Sequence, residues 1–161
     1  MVKFPVLAVE KGKGLLIYLE FESREGKGSL YLDSKLETDQ EARKTINTAF
    51  SLLGEKKKDV LIRLKDSTHN CLCGPSLGLP IYLGMYACVS GLKIKPRIFS
   101  TGRINRKGNV GSVGGLAEKI KAVLGKADKL LVPKGQGLPL KGMKVVEIST
   151  VKEATEIALV K

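Results

Sequence analysis

Between Ser76 and Val89 the chain runs without a charged residue, and Gly78, Gly84 and Ala87 punctuate its aliphatic side chains. A helix of this composition has no polar face and is stable only when covered, so it belongs in the interior with small residues at its close contacts. Ser76 stands at its start. A helix start presents unpaired N–H groups and the positive end of a dipole, which favour a negative charge developing nearby. The same position also suits a serine acting as an ordinary helix cap. Pro80 falls at the end of the first turn, where it shortens or bends the start.

A serine hydroxyl is a weak nucleophile near neutral pH and needs a base, which a lysine partly stripped of water supplies. Leu116, Ile120, Val123 and Leu124 recur at helical offsets and define an apolar stripe, and Lys119 falls on it. Burial penalises the ammonium form and lowers the pKa, as a lysine base requires. The alternative is a stem lying along apolar surface with its ammonium in water.

The elements around these two residues read as mixed α/β. Val6 to Val9, Leu15 to Phe21 and Ser29 to Leu32 form strands of an opening antiparallel sheet, with Gly12, Gly14, Gly26 and Gly28 in its connections. Thr38-Asp39-Gln40-Glu41 is a capping box for a helix with Ala42, Ile46, Ala49, Phe50 and Leu53 inward and Gly54 at its end. Asp59 to Leu64 is a strand, and the polar segment Lys65 to Cys73 is a loop leading into the serine, the expected place for substrate contact. Ile94 to Thr101, Gly108 to Val113, Lys129 to Val132 and Met143 to Ile148 read as further strands. Thr150-Val151-Lys152-Glu153 is a second capping box, opening a terminal helix with Ala154, Ile157 and Ala158 inward.

At 161 residues and 43% apolar the chain supports one domain with a real core, 1–161. It has no apolar run of transmembrane length and no signal-like start, and its 3 cysteines are an odd number, so a reducing cytoplasm is the expected location, with no membrane. His69, Cys71 and Cys73 lack the second ligand pair of a usual zinc site, so no metal is expected. Cys73 is a rival nucleophile only if His69 activates it. The net charge of +12 is spread over the chain, and 5% aromatic content with no tryptophan leaves little to stack on bases. A solvated lysine-rich surface is expected rather than a nucleic-acid interface. No sequence feature assigns a role to Cys71, Cys73 or Cys88.

Gly74-Pro75-Ser76-x-Gly78, Thr101-Gly102, Gly108 and Gly114-Gly115-Leu116-x-Glu118-Lys119, in that order, resemble the proteolytic domain of Lon proteases. Lys119 lies 43 positions beyond Ser76, the family's separation for its serine and lysine. The similarity extends through Leu130-Leu131-Val132-Pro133-Lys134 to the segment Val151 to Ala158, strong over 59–161 and weak over 1–58. It implies small sheets with packed helices, related to the second domain of a ribosomal protein, and serine endopeptidase activity on protein or peptide substrates without a cofactor. Ser76 and Lys119 are then the catalytic dyad, Thr101 orients the lysine, and the backbone at Pro75, Ser76 and Leu77 stabilises the oxyanion. The cleft takes in Cys73, Gly74 and Arg103. A hexameric ring is implied by analogy.

The sequence departs from the common bacterial pattern at Cys73, Leu77 and Arg103, which keep the dyad and alter the cleft. No Gly-x-x-x-x-Gly-Lys-Ser/Thr loop occurs in these residues, so the resemblance implies a stand-alone proteolytic domain whose ATPase is a separate protein or part of a longer parent chain. Two rivals stand beside this reading. One is an inactive Lon-like domain serving assembly or regulation, and the other is a basic nucleic-acid-binding module.

Overall fold

The computed structural model describes residues 1–37, 39–54, 57–65 and 74–160. The fold opens on a long hairpin, β1 (Val2–Glu10) and β2 (Lys13–Glu25), paired antiparallel from Val2 opposite Phe21 to Glu10 opposite Lys13. Lys11 and Gly12 both take positive φ at its tip (50° and 76°), the backbone hand that matches the twist of two antiparallel strands. Strand β4 (Lys58–Leu64) pairs antiparallel with β2, and β3 (Leu30–Leu32) closes the order β1-β2-β4-β3. The sequence predicts an all-antiparallel opening sheet, but β3 runs parallel to β4. A parallel pair needs a crossover, here helices α1 (Ser34–Glu37) and α2 (Gln40–Ser51). Asp39 caps α2, its carboxylate accepting from the Ala42 N–H at 2.8 Å. Thr38, the first residue of the expected box, lies outside the described residues.

The apolar run forms a 3-10 turn at Pro75–Leu77 leading into α3 (Gly78–Ser90). Leu79, Ile81, Leu83, Met85 and Ala87 are fully buried, as a helix without a polar face requires. A Cβ at Gly84 would fall on the Phe21 ring, so the missing side chain is what lets α3 rest on β2.

Past α3 the expected strand Ile94 to Thr101 divides into β5 (Lys93–Ile94) and β6 (Ile98–Ser100). Pro96 and the positive φ of Arg97 (57°) break it, and the halves join different sheets. A small hairpin of β7 (Arg103–Ile104) and β8 (Val110–Gly111) precedes α4 (Leu116–Val123). Strands β9 (Lys129–Pro133) and β10 (Lys144–Ile148) complete a parallel sheet in the order β10-β9-β6. Thr150 caps α5 (Val151–Ala158) by accepting from the Glu153 N–H, while the Glu153 carboxylate accepts from the Ser149 N–H, one residue before the partner the expected capping box would use, and β11 (Leu159–Val160) then pairs with β5.

Two cores result. The larger surrounds α3, and the smaller lies between α4 and the parallel sheet, with Phe99, Ile120, Val123, Leu130 and Val132. Leu124, expected on the α4 stripe, is 48% exposed, because the helix ends at Val123 and the backbone turns to ψ 132°. Among the described residues no helix is long and apolar enough to cross a membrane.

Candidate active site

Ser76 is half-buried in the 3-10 turn, one residue before the buried Leu77. The turn is stitched to the segment after β6 by two backbone hydrogen bonds: the Gly102 N–H donates to the Ser76 carbonyl at 3.2 Å, and the Leu79 N–H donates to the Gly102 carbonyl at 3.0 Å. Gly102 is required for this approach, since a Cβ there would lie 2.7 Å from Val110 Cγ1 and 3.3 Å from Leu79 Cβ. Thr101, the preceding residue, is fully buried, and its own N–H donates to the Leu131 carbonyl at 3.0 Å. Ser76 is therefore held beside the end of the parallel sheet.

Helix α4 brings the lysine to that same sheet end. A Cβ at Gly14 would fall on the Glu118 carbonyl, so the bare glycine lets α4 lie against β2. The sequence assigns Gly14 to a turn, yet it sits within β2 and serves this helix contact. Only a partner 104 positions away explains it, and no local pattern carries that signal. Lys119 is 3% exposed, and its Nζ donates to Thr101 Oγ1 at 3.2 Å. Burial pushes the amine below the usual lysine range, because the ammonium form has lost water and, among the described residues, has gained no carboxylate. Of the two readings of Lys119 open in the sequence, the buried one holds.

Thr101 and Lys119 thus meet through their side chains, and Ser76 joins them through the backbone of Gly102. Among the described residues Ser76 Oγ makes no side-chain hydrogen bond, to Lys119 or to any other group. Pro75 has no N–H and leaves the oxyanion group expected from the sequence. The Gly78 N–H is engaged by the Pro75 carbonyl and the Leu79 N–H by Gly102, which narrows the expected donors to Ser76 and Leu77. Gly74 turns the chain into the site with φ 102°, a conformation L side chains rarely adopt. Arg103 is exposed on β7, across a cavity of about 350 Å³ that Pro75 also lines. Cys73, His69 and Cys71 lie outside the described residues. Cys88 is a half-buried thiol on α3 that burial pushes up to about 11, which makes it a poor nucleophile.

A buried amine held on a threonine, at the end of a strand stitched to a serine turn, is an arrangement suited to a hydrolase that needs no metal to activate its nucleophile. The model of the Lon protease (S16) C-terminal proteolytic domain matches residues 5–161, and the chain belongs to that family. Among relatives, Lon protease of Azospirillum brasilense is 27% identical over 167 residues, covering 92% of this chain and 20% of the relative. Lon protease of Buchnera aphidicola subsp. Baizongia pistaciae is 28% identical over 165 residues, covering 91% and 21%. Lon protease of Haemophilus influenzae is 30% identical over 132 residues, covering 75% and 16%. The chain spans about a fifth of the length of the first two relatives.

Proposed function

We propose that this domain hydrolyses peptide bonds, with Ser76 as nucleophile and Lys119 as its base. The observation that carries the reading is the buried Lys119 amine on Thr101, one residue from the glycine bonded to Ser76. A neutral amine takes the proton of Ser76 Oγ as the oxygen attacks the peptide carbonyl, and the ammonium so formed returns it to the departing amine. Water then opens the ester, with Lys119 again accepting the proton. Thr101 accepts from Nζ, fixing the amine's direction. The N–H groups of Ser76 and Leu77 are the donors for the oxyanion. Ser76 Oγ and Lys119 Nζ make no hydrogen bond to each other here, as is common where the catalytic hydrogen bond tightens only once substrate is seated. In this reading the substrates are proteins or peptides, copies of the chain assemble into a ring, and unfolding power comes from an ATPase that these residues do not contain.

Cleavage of casein and of a fluorogenic peptide by wild type, Ser76→Ala and Lys119→Ala tests it, with an ATPase partner added in parallel. Loss in both variants with retained folding is the expected result. Undiminished cleavage by Ser76→Ala overturns the dyad, and an inert wild type under every condition favours an assembly role instead.

A further inference from the structure

A groove runs along the outer side of α2, from the serine turn to the β7–β8 hairpin. Two cavities, of about 350 and 450 Å³, share Lys44, Thr48 and Arg106 and so form one continuous depression. Its inner end is lined by Pro75, the residue before Ser76, and by Arg103, while Arg43 lies toward the outer end. Arg43, Lys44, Arg103 and Arg106 are all exposed, and among the described lining residues Glu41 is the one acid. The ion pairs formed among the described residues lie elsewhere, at Arg63–Glu22, Lys65–Glu20 and Arg97–Asp128. Among the described residues, four cations therefore converge on the groove with one carboxylate to offset them.

The hairpin wall is ordered. Asn105 Oδ1 accepts from the backbone N–H groups of Lys107 and Asn109, each at 3.0 Å, bracing the turn that carries Arg106. The opposite wall is the α2 helix surface. An arginine fork carried on such walls binds a planar carboxylate through two parallel hydrogen bonds. Bases, by contrast, are held by stacking, and among the described residues no aromatic side chain lines either cavity. The joint volume accommodates a few side chains of an extended peptide.

We propose that this groove is a subsite for acidic side chains within a few residues of the scissile bond, so that the domain selects acidic segments of its protein substrates. The inference rests on the peptidase reading above. Arg103 and Arg106 set the preference from one wall, and Arg43 and Lys44 from the other. Opposite charges at the groove strengthen binding, and salt weakens it by screening.

The test uses three fluorogenic peptides, identical except for paired Glu, Gln or Lys on one side of the scissile bond, with each side tried in turn. Wild type is expected to show kcat/KM about tenfold higher for the Glu peptide than for the Gln peptide on one side, with the gap narrowing as salt is raised. In Arg103→Glu/Arg106→Glu the preference moves to the Lys peptide, an inversion that a damaged fold does not produce. Arg43→Gln/Lys44→Gln lowers the Glu-to-Gln ratio from the other wall. Equal rates for Glu and Gln peptides in wild type, or a preference that survives the charge reversal, overturns the subsite. Should no peptide be cleaved, the peptidase reading fails, and fluorescence anisotropy of the same peptides on the Ser76→Ala protein tests the groove alone. Tighter Glu binding that inverts with the double reversal supports the groove, and equal binding overturns it. A single-stranded oligonucleotide that binds more tightly than the Glu peptide and is lost in the same variant assigns the groove to nucleic acid, which also overturns the proposal.

Discussion

Thr101 and Lys119 form a buried pair whose members each leave the other stranded when removed. Thr101→Val keeps the shape of the side chain and deletes the oxygen that accepts from Nζ at 3.2 Å. Lys119, 3% exposed, then holds an amine with no acceptor, and stranding a buried donor costs about 1–3 kcal/mol. Lys119→Met keeps most of the apolar stem and strands the Thr101 hydroxyl, which is fully buried, at a cost of about 1–2 kcal/mol offset by release of the buried amine. Removing both leaves an apolar contact of similar shape, and such double replacements are nearly neutral or stabilising. The double variant should therefore be more stable than the sum of the single effects by about 1–2 kcal/mol, within the range measured for residues in direct contact. Urea unfolding followed by far-UV circular dichroism measures the four proteins, with unchanged slopes confirming that midpoints report stability. Single effects below about 0.5 kcal/mol that simply add would refute the reasoning, because an amine in water has no such coupling.

The pH dependence of stability follows from the same burial. Lys119 titrates lower when folded than when unfolded, so the unfolded chain binds more protons between the depressed value and the ordinary value of about 10.4. Stability from this group rises with pH through that window, and below it the native state carries the full desolvation penalty. Wild type should gain on Lys119→Met as pH rises from the lowered pKa toward the ordinary lysine value, and a constant gap would contradict a lowered pKa. Gly102→Ala would drive a Cβ to 2.7 Å from Val110 Cγ1, costing about 1–3 kcal/mol and displacing the Ser76 turn, so peptide cleavage should fall more than the thermal midpoint accounts for. Ser100 Oγ is buried with no hydrogen-bond partner among the described residues, so Ser100→Ala should be neutral or stabilising by about 1 kcal/mol, read by thermal unfolding. A clear loss of stability in Ser100→Ala would contradict that assignment.

The parts of this molecule visible in its sequence are those fixed by local rules. The all-apolar α3, the α4 stripe carrying Lys119 and the Thr150–Glu153 cap depend on residues within a turn or two of one another. Long-range geometry was hidden. The parallel pairing of β3 with β4, the role of Gly14 beneath Glu118 and the union of β11 with β5 each depend on a partner far along the chain. The break at Pro96 and Arg97 was masked by apolar residues on both sides, which read as one strand. In the site, the order of motifs suggested serine, threonine and lysine together. The device that joins them, a glycine without room for a side chain bonded to the Ser76 carbonyl, emerges only from the packing. The basic groove was invisible for the same reason, since Arg43 and Arg106 are adjacent only in space.

The central claim is that an uncharged Lys119 activates Ser76. Its most direct test is the rate at which a peptidyl fluorophosphonate labels the protein across a pH series, with the modified residue located by mass spectrometry in wild type and in Lys119→Met. The account requires a single adduct on Ser76, a rate that climbs as pH rises through the lowered lysine pKa, and its collapse in Lys119→Met. Labelling at another residue, or at Ser76 with the same rate and pH profile after the lysine is gone, would contradict it.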